Sequence, residues 1–137
     1  KGKRTAPSAM DNREVDIYVA KADGLFLYIP KTHSLKLVLK KDIREDTGKQ
    51  AFVKNAPVNL IYVANLSKMK MIPKDDKLKY ASADTGFISQ NVYLFCTSEG
   101  LNTVVRGWIN KKKLAKIMQL KSKEKIILSQ TIGYPKK

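Results

Sequence analysis

The chain has 137 residues and carries 27 Lys and Arg against 12 Asp and Glu, a formal net charge of +15. Leu, Ile, Val and Phe make up 37 of the residues, enough to bury a core, so a disordered polyelectrolyte is excluded and one domain over residues 1–137 is expected. The longest aliphatic and aromatic run, residues 25–29, is too short to cross a bilayer.

The first third of the chain predicts a meander of three strands. Residues 15–20 alternate apolar and polar side chains, which is typical of a half-buried strand. Asp23 and Gly24 predict a tight turn, and residues 25–29 predict the returning strand, which ends at Pro30 because proline cannot donate to a central ladder. Residues 35–39 predict the third strand.

The middle of the chain predicts one buried strand between two polar segments. Residues 41–55 are polar and predict a short helix around residues 50–54. Residues 57–64 are the most apolar stretch and predict a central strand that is buried on both faces. Residues 65–80 are rich in lysine and contain Pro73, so they predict an exposed loop.

Residues 83–99 give the strongest helix signal. Ser82 or Asp84 is the predicted cap, and Gly100 is the predicted left-handed residue at the end. Apolar residues recur at spacings of three and four and predict one stripe that forms core or a dimer interface: Phe87, Ile88, Val92, Phe95 and Cys96.

The last third predicts a strand at residues 103–105, a short helix capped by Asn110, and a final strand at residues 126–128. The inward side of that helix is predicted to be Leu114, Ile117 and Met118. Together the elements predict an α+β fold on a mainly antiparallel sheet.

The usual catalytic constellations are missing from the sequence. His33 is the sole histidine and reads as a surface residue, while Cys96 lies on an apolar stripe and reads as a buried structural thiol. One cysteine and one histidine exclude an intrachain disulfide and a Cys–His metal cluster. Because no nucleophile elbow, phosphate loop or dinucleotide fingerprint is present, an enzyme of this sequence would leave the chemistry to a cofactor.

The positive charge is concentrated in residues 106–137, which hold ten basic residues and one acid, Glu124. A basic module that binds nucleic acid or another polyanion is therefore one hypothesis. Lysines at this spacing more often form a solvated face, and no nucleic-acid-binding motif accompanies them, so nucleic acid is the less favoured partner.

Three segments, taken in order, resemble the flavin-dependent nitroreductase family, and most resemble its branch of thiazoline and oxazoline oxidases. The first is Arg-Thr-Ala-Pro-Ser-Ala-Met at residues 4–10, which leads into the strand ending Ile-Tyr-Val. The second comprises residues 83–86, 90–94 and 100–101, followed by Thr-Val-Val-Arg-Gly-Trp at 103–108. The third is the closing Thr-Ile-Gly-Tyr-Pro at residues 131–135. The likeness covers nearly the whole chain.

The resemblance implies a three-layer sandwich, with a mainly antiparallel sheet flanked by helices, and an enzyme that holds FMN at a homodimer interface. It implies a reduced nicotinamide as donor and a small organic molecule as acceptor. Val104 and Val105 would form an apolar wall for the flavin, and the backbone N–H of Arg106 or Gly107 would face its N5. The other implied cofactor-binding residues are Arg4, Pro7, Ser8 with its hydroxyl as donor, Ala9, Asp11, Gln50, Lys136 and Lys137.

Two departures from the family pattern bear on these expectations. Asp11 stands where the family commonly has Asn, and an ionised carboxylate cannot donate a hydrogen bond. Family members also carry some tens of residues before the Arg-Thr-Ala-Pro-Ser segment, including part of the phosphate-binding site. A second hypothesis is therefore a shortened family member that binds no flavin. Because the sequence starts at Lys1, the compartment is left open, with the cytoplasm as the default.

Overall fold

A computed structural model describes residues 2–137, and its centre is a six-stranded antiparallel sheet with the order β3-β2-β1-β4-β6-β5. The strands are β1 (Val15–Lys21), β2 (Gly24–Ile29), β3 (Ser34–Leu39), β4 (Val58–Asn65), β5 (Asn102–Arg106) and β6 (Glu124–Gly133). Two α-helices, α1 (Lys74–Ser98) and α2 (Lys111–Ile117), pack on opposite faces of this sheet. The predicted α+β three-layer arrangement is confirmed.

The predicted meander of β1, β2 and β3 is confirmed, with one shift at its first turn. The two residues between paired Lys21 and Gly24 are Ala22 and Asp23, so Gly24 opens β2 instead of lying in the turn. Its φ is 153°, and an added Cβ would lie 2.8 Å from the backbone oxygen of Leu39. Glycine tolerates both this φ and this short distance because it has no Cβ.

Strand β4 is central and buried on both faces, as its composition predicts. Leu60 and Tyr62 lie on the face of the sheet that α1 covers, and they pack against Ile88 and Val92 of that helix. On the opposite face, Ile61 and Val63 share a cluster with side chains of α2. Alternate residues of one strand therefore supply two separate cores.

Helix α1 begins at Lys74, so the prediction of an exposed loop over residues 65–80 is wrong for its last third. Pro73 is the N-cap residue, and Asp75 and Asp76 lie in the first turn, where the helix dipole favours negative charge. The predicted caps are wrong as well, because Ser82 and Asp84 lie inside the helix.

The end of α1 matches its prediction. Gly100 has φ 67°, its N–H donates to the carbonyl of Thr97, and the N–H of Leu101 donates to that of Cys96 at 2.8 Å. These two bonds form a Schellman motif.

The predicted apolar stripe of α1 divides between two faces. Ile88, Val92 and Cys96 turn toward the sheet, whereas Phe87 and Phe95 are exposed. Small and polar residues complete the side that faces the sheet: Ala81, Asp84, Thr85 and Ser89. The buried side of α1 is therefore rotated about the helix axis relative to the stripe predicted from spacing, away from Phe87 and Phe95.

The opposite layer consists of α2 and two short 3₁₀ helices, Arg44–Thr47 and Ala51–Lys54. The side chain of Asn110 accepts a hydrogen bond from the N–H of Lys113, which confirms the predicted cap of α2. Leu114 and Met118 are buried as predicted. Neither helix within residues 2–137 has the length and hydropathy that a bilayer crossing requires.

Candidate functional site

The segment before β1 lines a broad groove of about 1410 Å³, whose other wall is α1. Arg4, Pro7, Ser8 and Asp11, four of the residues that the sequence proposes for cofactor binding, line this groove together. The N–H of the neighbouring Ala9 donates to the side-chain carboxylate of Asp84 on α1. This groove is the first of two places in the chain where the proposed residues gather, and we call it the N-terminal groove.

The conformation of the Ser8–Ala9 segment is held by two carboxylates. The hydroxyl of Ser8 donates to Oε2 of Glu14 at 3.0 Å and accepts from the N–H of Arg13 at 2.8 Å. The N–H of Ala9 donates to Oδ2 of Asp84 at 2.9 Å. The prediction that the Ser8 hydroxyl is an available donor is therefore wrong, because Glu14 already receives its hydrogen bond.

Asp11 points toward solvent and accepts a hydrogen bond from Nε of Arg13 at 2.6 Å. The adjacent Asn12, which carries the amide that Asp11 lacks, donates from Nδ2 to the carbonyl of Ala9 at 2.7 Å. These contacts close the loop on itself, and one member of the loop, Met10, has a φ of 52°.

Glu14 and Asp84 are functional candidates that the sequence interpretation missed. Glu14 is fully buried and Asp84 is 5% exposed, yet both line the N-terminal groove. Burial is the main cause that raises the pKa of Glu14, and the nearby Asp84 carboxyl raises it further. In the sequence, Glu14 only precedes a strand and Asp84 reads as a helix cap, so neither carries a local signal of this pairing.

The second gathering place centres on Arg106 and Gln50, and we call it the Arg106 site. Arg106 is 4% exposed and donates from Nε to Oγ1 of Thr131 at 2.8 Å and from Nη1 to the carbonyl of Thr47 at 2.9 Å. Its Nη2 lies 3.3 Å from Oδ1 of Asn59. Burial lowers the pKa of Arg106 to about 10, so the guanidinium is charged at pH 7. Within residues 2–137 no carboxylate pairs with it.

Gly48 lets Gln50 and Arg106 lie side by side. A Cβ on Gly48 would overlap Nη1 of Arg106 and lie 2.9 Å from Oε1 of Gln50. That Oε1 atom is buried and accepts no hydrogen bond from the described part of the chain. Gln50 and Gly48 also line a pocket of about 350 Å³. The Arg106 site therefore contains a buried acceptor with no donor, next to a buried cation.

The strand-end residues that the sequence proposes as a flavin wall lie beside the Arg106 site. Val104 is 42% exposed, and the N–H of Val105 donates to the hydroxyl of Tyr93 on α1 at 2.8 Å. Gly107 is exposed, and the carbonyl of the next residue, Trp108, accepts from the N–H of Lys49 at 3.0 Å. The 104–108 segment is thereby fastened to the 47–50 segment.

Lys136 and Lys137 lie after β6 and are exposed, and the structure brings them into neither place. No residue lines both the N-terminal groove and the pocket at Gln50. Among residues 2–137 there is also no group of three or more His, Cys, Asp or Glu arranged to hold a metal ion.

The chemistry of the Arg106 site fits FMN. The isoalloxazine ring carries one N–H donor between two carbonyl acceptors, and the buried Oε1 of Gln50 is an acceptor that lacks a donor. The exposed side chain of Val104 offers an apolar surface for a planar ring, and the missing Cβ of Gly48 leaves room beside Gln50. Cations of the type that binds a phosphate lie outside the Arg106 site: Arg4 lines the N-terminal groove, and Lys136 and Lys137 are exposed after β6.

The chain forms a single antiparallel sheet with a long helix on one face and a short helix on the other, which is an α+β sandwich. The model of the nitroreductase family matches residues 2–134. The chain therefore belongs to the nitroreductase family. A protein of Methanocaldococcus jannaschii, provisionally named a nitroreductase, is 32% identical over 131 residues, which cover 88% of this chain and 66% of that protein.

Solved structures give the same fold. A protein of Ralstonia eutropha JMP134, also provisionally named a nitroreductase, is 43% identical with a TM-score of 0.92, covering 98% of this chain and 64% of that one. The microcin synthetase complex McbBCD of E. coli, with truncated pro-MccB17 bound, contains a chain with a TM-score of 0.88 at 18% identity, covering 100% and 57%. The NADPH:FMN oxidoreductase of Vibrio harveyi, complexed with NAD+, has a TM-score of 0.72 at 18% identity, covering 97% and 55%.

The chain thus spans just under two thirds of the length of the Methanocaldococcus and Ralstonia relatives.

Proposed function

We propose that this chain is an FMN-dependent oxidoreductase that takes a hydride from a reduced nicotinamide and passes it to a small organic acceptor. The observation that carries the proposal is the buried Oε1 of Gln50, an acceptor without a donor beside Gly48 and the charged Arg106. Family membership supports the reaction class, and the Vibrio harveyi enzyme of the same fold is an NADPH:FMN oxidoreductase. FMN, when bound, supplies the two-electron chemistry that the side chains lack.

In this proposal the two gathering places have different roles. Gln50 accepts a hydrogen bond from the flavin ring, while Val104 and Val105 provide an apolar wall and the backbone at Arg106 and Gly107 faces the ring edge. The remaining proposed contacts to the cofactor come from the N-terminal groove and from the basic end of the chain: Arg4, Pro7, Ser8, Ala9, Asp11, Lys136 and Lys137. The Ser8 hydroxyl already donates to Glu14. In this proposal Ser8 therefore contacts FMN through its backbone and not through its hydroxyl.

We propose a homodimer in which one copy contributes the N-terminal groove and the other contributes the Arg106 site. Two features of one chain support this arrangement. No residue lines both places. In addition, α1 exposes large apolar side chains at seven-residue spacing, with Tyr80 41%, Phe87 49% and Leu94 61% exposed. Positions seven apart form one stripe along a helix, which is the pattern of a helix that packs on another helix.

We further propose that residues 1–137 are one folded unit and that the branch is that of the thiazoline and oxazoline oxidases. The family match over residues 2–134 supports the single unit. The branch rests on the sequence segments described above, and the similarity in fold to a chain of the microcin synthetase complex is compatible with it.

The test is the Gln50→Ala variant, assayed by FMN titration and by thermal unfolding of the flavin-free chain. FMN affinity should fall by about tenfold, the value of one buried hydrogen bond. The flavin-free chain should keep or gain stability, because the variant removes a buried oxygen that has no donor. Gln119→Asn, at an exposed position that lines neither the N-terminal groove nor the pocket at Gln50, is the matched control and should leave FMN affinity unchanged. Equal FMN affinity in wild type and Gln50→Ala would remove Gln50 from the cofactor site.

A further inference from the structure

Among residues 2–137, Glu14 and Asp84 accept the two hydrogen bonds that tie the Ser8–Ala9 segment to the start of β1 and to α1. Glu14 Oε2 takes the Ser8 hydroxyl at 3.0 Å, and Asp84 Oδ2 takes the Ala9 N–H at 2.9 Å. Glu14 stands one residue before β1, and its own carbonyl accepts from the N–H of Asn65 at the end of β4. The two carboxyls therefore join the loop, the sheet and the long helix at one point.

The remaining oxygen of Glu14 has no hydrogen-bond partner among residues 2–137. Glu14 Oε1 is fully buried and accepts no hydrogen bond from any N–H or O–H among residues 2–137. The two carboxyls bind the adjacent residues Ser8 and Ala9, and a hydrogen bond with the Asp84 side chain raises the pKa of Glu14. Two ionised carboxylates cannot hydrogen-bond each other, whereas a carboxylic acid donates to a carboxylate. A proton on the Glu14 carboxyl would supply the donor that a contact between the two carboxyl groups requires.

The charged groups around the pair do not neutralise a second negative charge. Before β1, the guanidinium of Arg13 bonds Asp11 and the carbonyl of Gly2. Lys68 forms an ion pair with Asp16 of β1 at 2.8 Å. The ammonium group of Lys77, on α1, donates to the carbonyl of Leu66. The other titratable groups that line the groove are Lys3, Arg4, Tyr28 and Lys31. None of these side chains forms an ion pair with Glu14 or Asp84 among the described residues.

We propose that Glu14 and Asp84 share one proton at neutral pH and act together as positioning residues that hold the Ser8–Ala9 segment in the N-terminal groove. Loss of that proton places two buried negative charges against each other, and the least costly relief is to release the loop toward water. The consequence for cofactor binding rests on the proposed function, because the loop is one of the two places that we assign to FMN. The proton itself is a property of the flavin-free chain.

The primary experiment is infrared spectroscopy of the flavin-free chain with 13C-labelled glutamate and aspartate, as a function of pH. We expect a carboxylic-acid C=O band at pH 7 that is lost only at higher pH. The band should be missing at every pH near neutrality in Glu14→Gln, where the amide N–H takes over the donation to Asp84. Asp16→Asn is the matched control, since that carboxylate is two residues further on but pairs with Lys68, and it should leave the band in place.

Thermal unfolding tests the positioning role in the same samples. A group whose pKa is raised by folding loses its contribution to stability as the pH rises from its unfolded pKa to its folded one. Wild type should therefore lose stability over this range relative to Glu14→Gln, and Asp16→Asn should behave like wild type. If wild type shows no acid band at pH 7 and the same pH slope as Glu14→Gln, the proposal is overturned.

FMN titration across the same pH range separates this proposal from the proposed function. Wild-type affinity for FMN should fall as the acid band is lost, while the affinity of Glu14→Gln should stay level. A chain that shows the acid band but binds no FMN at any pH contradicts the proposed function and leaves the shared proton established. A chain that binds FMN with no acid band, and with the same pH dependence in wild type and Glu14→Gln, contradicts the shared proton alone.

Discussion

Arg106 and Thr47 are joined by a hydrogen bond of 2.9 Å from Nη1 of the guanidinium to the backbone carbonyl. The two residues lie 59 positions apart in the sequence, and the bond is buried. It attaches the 3₁₀ helix Arg44–Thr47, and the Gly48–Gln50 segment after it, to the last residue of β5. The proposed FMN site depends on the position of Gln50. That position is therefore set by the side chain of Arg106, from the edge strand β5.

Replacing Arg106 by lysine should destabilise the fold although the charge is kept. A single ammonium cannot reach Thr47, Asn59 and Thr131 together, so at least one buried acceptor loses its donor. We expect the free energy of unfolding to fall by about 1–3 kcal/mol in urea denaturation. Arg4→Lys, at an exposed position, is the matched control and should stay close to wild type. An Arg106→Lys chain as stable as wild type would show that the buried network does not depend on the guanidinium.

Gly48→Ala should disturb the Arg106 site directly. The added Cβ would overlap Nη1 of Arg106 and crowd Oε1 of Gln50, so one of these side chains must move. We expect a loss of about 1–3 kcal/mol in stability, together with weaker binding of FMN. Gly86→Ala is the control, because its Cβ meets nothing within 4 Å on the exposed side of α1. That helical substitution should stabilise the chain by about 0.5–1 kcal/mol. Opposite signs for the two glycines, measured by thermal unfolding, are the expected result.

The elements that sequence patterns predicted well are those with a strict period or an obligatory residue. Strand β4 is apolar at consecutive positions because both faces are covered, and Gly100 takes the left-handed conformation that ends α1. The start of α1 was missed because lysines and Pro73 resemble a loop, although Asp75 and Asp76 suit the first turn of a helix.

The candidate site was less predictable because its key contacts join residues that are distant in sequence. Arg106 was proposed for its backbone N–H, yet its side chain is the buried part, and nothing local to a Val-Val-Arg-Gly sequence indicates acceptors at Thr47 and Thr131. The pair formed by Glu14 and Asp84 spans 70 positions and depends on how α1 lies on the sheet. Such contacts follow from tertiary packing and not from periodicity.

The exposed apolar face of α1 predicts an oligomer that a charge should break. Leu94→Glu places a carboxylate in the stripe formed with Tyr80 and Phe87, and a dimer through this face should become a monomer in sedimentation experiments. Leu78→Glu is the matched control, since Leu78 is 52% exposed on α1 but lies nine residues, or two and a half turns, before Phe87 and so on another side. A dimer that survives Leu94→Glu would place the subunit interface elsewhere.

The central claim is that this chain binds FMN, and the most direct measurement is the visible absorption spectrum of the purified chain before and after addition of FMN and desalting. The account predicts a retained flavin band at about one FMN per chain, two per dimer, and its loss on addition of a reduced nicotinamide without oxygen. A colourless protein that retains no added FMN would contradict the account. It would favour a family member that keeps the fold without the flavin.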